Sequence, residues 1–300
     1  MAPGLVTRRG LDRVRAATRR RRQEPACETP PEDAAALEEW ARRCEAGLPS
    51  TTQIFLIGPD GTGERQLTVA APGFLSGLSW SPDGTRIAYA HSRLGGVFIV
   101  EVRTGETRQV FSDPAPEIGG WSPDGRLLLV HGVVVGSVED RGVFAVAADG
   151  SGARRIASDL AGVTWSPDGA YVAGWRDPTG SAEVTAIVTV AADGTGERIL
   201  NDDGVWPRWS PDGRSIAYTR GNGRPDGTLD EAWLMDADGS RQRKLADGVA
   251  RGWSPDGAWI LFSPRAGGTA LIRSDGTGRT MLLDQSVSFT NGFDWLAVKP

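Results

Sequence analysis

Trp80-Ser81-Pro82-Asp83-Gly84 returns letter for letter at Trp121, Trp165, Trp209 and Trp253. The intervals are 41, 44, 44 and 44 residues, and Trp295 follows 42 residues later without the Ser-Pro-Asp-Gly. A fixed period in this range marks a repeat architecture. The pentapeptide is itself a turn. Its Pro presets φ for a type I turn, its Asp tolerates the next corner, and its Gly takes the left-handed conformation that closes a short bulged hairpin. Short runs rich in β-branched and aromatic residues flank it, such as Val163-Thr164-Trp165 before and Ser215-Ile216-Ala217-Tyr218-Thr219 after. These read as strands.

A second turn recurs out of phase at Asp60-Gly61, Asp149-Gly150, Asp193-Gly194, Asp238-Gly239 and Asp275-Gly276, with Thr104-Gly105 in the remaining period. Each period therefore holds four antiparallel strands, A to D. Ser-Pro-Asp-Gly joins A to B, and the second turn joins C to D. Such units are the blades of a β-propeller. From Trp80 to Trp295 the repeat averages 43 residues, so residues 52–300 accommodate six blades. The chain enters that region with strands C and D, Gln53 to Ile57 and Glu64 to Thr68, and leaves with a strand A, Gly292 to Val298. Both ends are thus expected to complete one blade, whose strand B is missing or very short. The fold expected is all-β: a six-bladed β-propeller of four-stranded antiparallel blades.

The repeat resembles that of the TolB-like six-bladed propellers (PD40-type, WD40-like), whose blades carry W-SPDG-x-x-I-A-Y/F. Arg86-Ile87-Ala88-Tyr89 and Ser215-Ile216-Ala217-Tyr218 continue the motif in that way. The resemblance covers residues 52–300. It implies the fold but no single activity, since such propellers serve as periplasmic Tol-system components, as substrate-gating domains of peptidases and as binding proteins. It also implies a cell-envelope, extracytoplasmic setting. Against that, no apolar segment of the kind found in signal peptides follows the N-terminal arginines of the chain as written.

Net charge divides sharply along the chain. Residues 1–24 carry +6, residues 25–50 carry −4 and the remainder −7. The propeller is mildly acidic, which argues against a nucleic-acid surface on it. The basic arm, residues 1–33, is expected to be largely disordered or weakly helical, a tail whose arginines could contact anionic membrane or nucleic acid. Residues 34–47 read as a short helix. Cys27 and Cys44 are the only cysteines. In an oxidising compartment they would close a disulfide worth roughly 3 kcal/mol, whereas two free thiols suit a reducing one.

Catalytic chemistry is sparse. His91 and His131 are the only histidines, too few for a metal site, and both are expected to be structural. No G-x-S-x-G elbow occurs. Asp236-Ala237-Asp238-Gly239 starts like a calcium loop, but Arg241 stands where Gly is needed and Asp247 where Glu is needed. Neither metal nor cofactor is expected. Each motif Trp is expected to pack between adjacent sheets.

In a propeller the uniform A–B and C–D turns leave binding to the opposite face, built from B–C and D–A connections. Three consecutive B–C segments are long, Gly132 to Arg141, Arg176 to Glu183 and Gly221 to Glu231. They supply Arg176, Asp177, Arg220, Asn222, Arg224, Asp230 and Glu231 as candidate binding residues. Just before the motif Trp most blades carry small residues, and the exceptions are Trp206, Arg208 and Arg251. An aromatic beside two cations suits an acidic or peptide-like partner. The reading is a monomeric, non-catalytic binding module for a protein or peptide, with a small carbohydrate as the lesser option. The alternative is an enzyme acting on carbohydrate or peptide, with Asp177, Asp230 and Glu231 as acid and base candidates.

Overall fold

The same hydrogen bonds close every Ser-Pro-Asp-Gly turn in the computed structural model, which describes residues 15–21, 51–57, 62–69, 73–113, 116–133, 141–177, 185–221 and 230–283. In the first turn Ser81 Oγ donates to Asp83 Oδ1 at 2.6 Å and accepts from Arg86 N at 2.9 Å. Thr85 N donates to the same carboxylate oxygen at 3.0 Å. Ser122, Ser166, Ser210 and Ser254 repeat the arrangement with their own aspartates. A carboxylate held by a hydroxyl and a backbone N–H is favoured in its charged form. The Ser81 hydroxyl, helped by the Thr85 N–H, brings Asp83 down to about 2. Asp124, Asp168, Asp212 and Asp256 are lowered for the same reason.

These turns organise the strands into successive sheets. Blade 2 comprises β4 (Leu75–Trp80), β5 (Arg86–His91), β6 (Val97–Glu101) and β7 (Thr107–Phe111). Blade 3 comprises β8 (Glu117–Trp121), β9 (Leu127–Val133), β10 (Arg141–Ala147) and β11 (Ala153–Ala157). Blade 4 comprises β12 (Ala161–Trp165), β13 (Tyr171–Arg176), β14 (Ala186–Ala191) and β15 (Arg198–Asn201). Blade 5 begins with β16 (Val205–Trp209), β17 (Ser215–Arg220) and β18 (Glu231–Asp236), and β19 (Arg243–Trp253) runs on from it into blade 6. There β20 (Trp259–Pro264), β21 (Thr269–Arg273) and β22 (Thr280–Leu283) follow. The long β19 bends at Gly248, whose φ is +135°, and a Cβ there would lie 2.2 Å from the Ser263 carbonyl oxygen.

Blade 1 departs from expectation. β2 (Thr51–Ile57) and β3 (Arg65–Gln66) are the predicted C and D strands, but β1 (Arg15–Arg21) pairs antiparallel with β2, Arg15 opposite Ile57 and Arg21 opposite Thr51. A stretch read from sequence as disordered or weakly helical thus fills the place of the missing strand B. The physical reason is the open edge of β2, whose unpaired N–H and C=O groups are a template for any extended segment. The rest of the arm, the helix expected at 34–47, the closing strand at 292–298 and both cysteines lie outside the described residues.

The core is divided among the joints. Five buried clusters each draw on two neighbouring sheets, from Ile54 and Ile87 at the blade 1–2 joint to Ala217 and Phe262 at the blade 5–6 joint. Trp121, Trp165 and Trp253 are buried in these clusters, with Trp80 and Trp209 packed against theirs. On two joints the indole also donates across the gap, Trp121 Nε1 to Ser79 O at 3.0 Å and Trp253 Nε1 to Arg208 O at 2.9 Å.

Arginines clip the outer strands in the same sense around the ring. Arg65 Nη2 reaches Val102 O at 2.6 Å, Arg108 Nη2 reaches Ala148 O at 2.8 Å and Arg154 Nη2 reaches Ala192 O at 2.6 Å. Arg243 reaches Ser274 O likewise. Each ties a D strand to the C–D turn of the next blade. Arg154→Met, which keeps the aliphatic stem, is expected to cost about 1 kcal/mol in urea unfolding, the ordinary worth of such a bond.

Candidate functional site

Strand A carries a bulge just before the motif Trp in blades 2 to 6. In blades 2, 4 and 5 it falls between Ser76 and Ser79, Ala161 and Thr164, and Val205 and Arg208. The third residue ahead of the motif Trp must there adopt left-handed φ. Gly77 does so at +63° and Gly162 at +56°, whereas blade 5 places Trp206 there at +53°. For a residue with a Cβ that conformation costs roughly 1–2 kcal/mol. Among the described residues Arg241 is the other non-glycine of this kind, at +50°. Its strain has a local partner, since Arg241 Nε donates to Asp236 Oδ2 at 2.6 Å. Trp206 has no such compensation among the described residues, and it lines a cavity.

That cavity, of about 550 Å3, opens between blades 3, 4 and 5 and is lined by Glu117, His131, Trp175, Trp206 and Arg208, among others. Trp175 and Trp206 converge over Gly162. A Cβ there would lie 2.8 Å from Trp175 Nε1 and 3.2 Å from Trp206 Cδ1. The Trp175 indole N–H is buried and finds no acceptor among the described residues.

Arg208 sits on the floor, its backbone pinned by the Trp253 indole. Its side chain keeps part of its surface open, yet burial pushes its pKa down, and the charge of Arg251 adds to that push. Arginine keeps its proton in such surroundings. The guanidinium therefore remains a poorly hydrated cation.

On the far wall, Glu117 Oε2 lies 3.7 Å from His131 Nδ1. Burial lowers the pKa of His131, the charge of Arg141 lowers it further, and Glu117 and Asp113 oppose the change. His131 is thus a cavity residue rather than a purely structural one. His91 keeps its structural role: it is 1% exposed, and its Nδ1 accepts from Arg93 N and Leu94 N at 3.2 Å each. A second hollow, about 570 Å3, lies on the opposite face between the turns at Ser210 and Ser254. Its serine and aspartate groups are already bonded within those turns.

The family model of the TolB beta propeller domain matches residues 49–248, two-thirds of the sequence. The chain belongs to that family. It is 44% identical over 57 residues to a protein TolB homolog of Chlorobium luteolum, a match covering 18% of this chain and 13% of that protein's length. Its fold is similar to that of TolB from Acinetobacter baumannii, with a TM-score of 0.56 and 19% identity over 76% of this chain and 58% of the other. It is equally similar to an oligogalacturonate lyase from Vibrio parahaemolyticus, with a TM-score of 0.57 and 14% identity over 75% and 73% of the two chains. At such identities the likeness is one of fold.

Within this TolB propeller the other sequence-predicted residues are distributed more widely. Arg176 is held by Asp159 at 3.3 Å and by Glu197. Arg220 donates to Asp203 at 2.6 Å and lies over the Trp233 ring, 4.6 Å from its centroid. Glu231 accepts from Trp233 Nε1 at 2.9 Å and from Lys244 Nζ at 2.5 Å, and Lys244 holds its pKa below the ordinary value. Asp230 is 2% exposed, and its carbonyl accepts from Gly248 N at 2.8 Å. Arg251 Nε donates to Ser263 Oγ at 3.0 Å, beside the cavity. Asp177 directly follows blade 4's second strand without lining the cavity. Asn222 and Arg224 lie outside the described residues. Of the predicted set, the cavity brings together Trp206 and Arg208 with Arg251 near them. Sequence reasoning passed over Glu117, His131 and Trp175.

Proposed function

We propose that this TolB propeller is a non-catalytic binding module that takes a protein or peptide partner at the channel mouth of blades 3 to 5. The supporting observation is Trp206, a large aromatic kept in left-handed backbone where two sister blades carry glycine. Strain that persists without local compensation belongs to sites where another requirement outweighs it. Large aromatics and arginine in a pocket are the common anchors of protein interfaces. The family setting is that of the cell envelope.

Hydrolysis of a glycoside would need paired carboxyls about 5–9 Å apart around the substrate. Asp177, Asp230 and Glu231 do not line the cavity, and a Glu231 kept ionised by Lys244 is ill-suited to donate a proton. The binding reading is the better supported of the two.

The test uses immobilised protein and envelope fractions. Partners retained by the wild type are expected to be lost with Trp206→Ala/Arg208→Gln and kept by Arg154→Met on the opposite face. Retention by the double variant equal to the wild type would remove the channel mouth from consideration.

A further inference from the structure

We infer that the cavity is a carboxylate-binding pocket, in which Arg208 receives the acidic group of a peptide laid against Trp206. This rests on the binding reading above and adds the chemistry of the ligand. The argument begins with charge. Two other arginines on this side of the ring have carboxylate partners, Arg176 with Asp159 and Glu197 and Arg220 with Asp203. Arg208 has none among the described residues. Its hydrogen bond is a single one, Nη1 to Pro207 O at 3.0 Å, and the nearby Arg251 is of like charge. A crowded cation without a counter-charge is costly, and proteins ordinarily pair it. Here the counter-charge is left for a ligand to bring.

The second observation is the aromatic wall beside this cation: Trp175 and Trp206 line the same cavity as Arg208 and converge over Gly162. A guanidinium without a counter-charge calls for acceptor oxygens, which a carboxylate supplies in the planar form its fork accepts. The opposite wall has the reverse polarity, since Glu117 is an acceptor with a largely exposed side chain. A simple inorganic anion would gain nothing from that wall. A peptide would, because its backbone N–H groups face Glu117 while its acidic side chain reaches Arg208. The indole face of Trp206 is then free to cover an apolar neighbour. A volume of about 550 Å3 falls within the usual size of small-ligand pockets.

The experiment titrates the full chain with N-acetyl-Leu-Asp-amide and N-acetyl-Leu-Asn-amide, following tryptophan emission and heat. The Asp peptide is expected to bind saturably and about tenfold more tightly than its Asn twin, a ratio equivalent to 1.4 kcal/mol. Arg208→Gln should bring the Asp peptide down to the Asn level, and Arg208→Lys, which keeps the charge without the fork, should retain part of the ratio. Thermal melts confirm that each variant is folded, and if Arg208→Gln fails that check the Lys variant decides. Equal binding of the two peptides, no binding of either at millimolar concentration, an unchanged ratio in the variants, or tighter binding of free glucuronate than of the Asp peptide would each overturn the inference. If both peptides bind equally but are lost with Trp206→Gly, the channel-mouth reading stands and the carboxylate fails. If both bind and Trp206→Gly changes nothing, both readings fall.

Discussion

Trp206→Gly is expected to lose about 30-fold in partner affinity while leaving the stability of the propeller within about 1 kcal/mol of the wild type. The two halves of this result have different origins. Glycine restores what Gly77 and Gly162 provide in the sister bulges and removes a backbone cost of roughly 1–2 kcal/mol. Against that stands the lost contact of a half-buried indole, worth a similar amount at about 25 cal/mol per Å2. An ordinary core tryptophan would cost 3–5 kcal/mol on truncation, with no term of opposite sign. Trp206→Ala supplies the control. It removes the same ring but keeps a Cβ in left-handed backbone, so it should bind as poorly and be about 1 kcal/mol less stable than the glycine variant. Chemical denaturation of the three proteins, beside a binding isotherm for each, is the measurement. A glycine variant that is strongly destabilised, or one that binds normally, would show the tryptophan to be structural.

The fold was legible because it is written in local chemistry. Ser-Pro-Asp-Gly specifies a turn through atoms within five residues of one another, as the Ser81–Asp83–Arg86 bonds demonstrate, and five copies leave little room for another period. The motif tryptophans lie in or against the inter-sheet clusters, as anticipated. The candidate cavity was only half legible. Trp206 and Arg208 stand out because they break a run of small residues ahead of the motif Trp. Glu117, His131 and Trp175 do not, since each is unremarkable within its own blade and gains meaning only where three blades meet. One signal was available and went unread: the third residue before the motif Trp is Gly in two blades and Trp in a third. Arg176, Arg220 and Glu231 were legible only in part. Their charge was visible, but the partners that absorb it, Asp159, Asp203 and Lys244, come from other strands or connections. Likewise no local propensity marks Arg15–Arg21 as a strand, and it is the open edge of β2 that makes it one.

The ring should be acid-labile in two separable steps, the second of them set by its turn chemistry. His131 titrates below its ordinary 6.5, chiefly because it is buried, so the unfolded chain takes up that proton first and stability begins to fall as pH drops below about 6.5. The effect is that of one residue, and His131→Gln should abolish it. The larger step lies lower. Asp83 titrates at about 2 in the fold against 3.8 unfolded, and Asp124, Asp168, Asp212 and Asp256 are shifted in the same direction. A group whose pKa is depressed by folding contributes fully above its unfolded value and loses that contribution as pH falls through its folded one. Asp83 therefore withdraws its support between about pH 4 and about pH 2, and the other four, lowered for the same reason, lose theirs in the same sense as pH falls below their unfolded value. These groups are largely exposed, so solvent screens each one, and it is their number that makes the step large. Urea midpoints measured from pH 7 to pH 2 should show a shallow decline followed by a steep one. Replacing all five aspartates by asparagine should lower the midpoint at neutral pH and flatten the steep step. If that variant is as acid-sensitive as the wild type, the turns are not the groups that hold the ring.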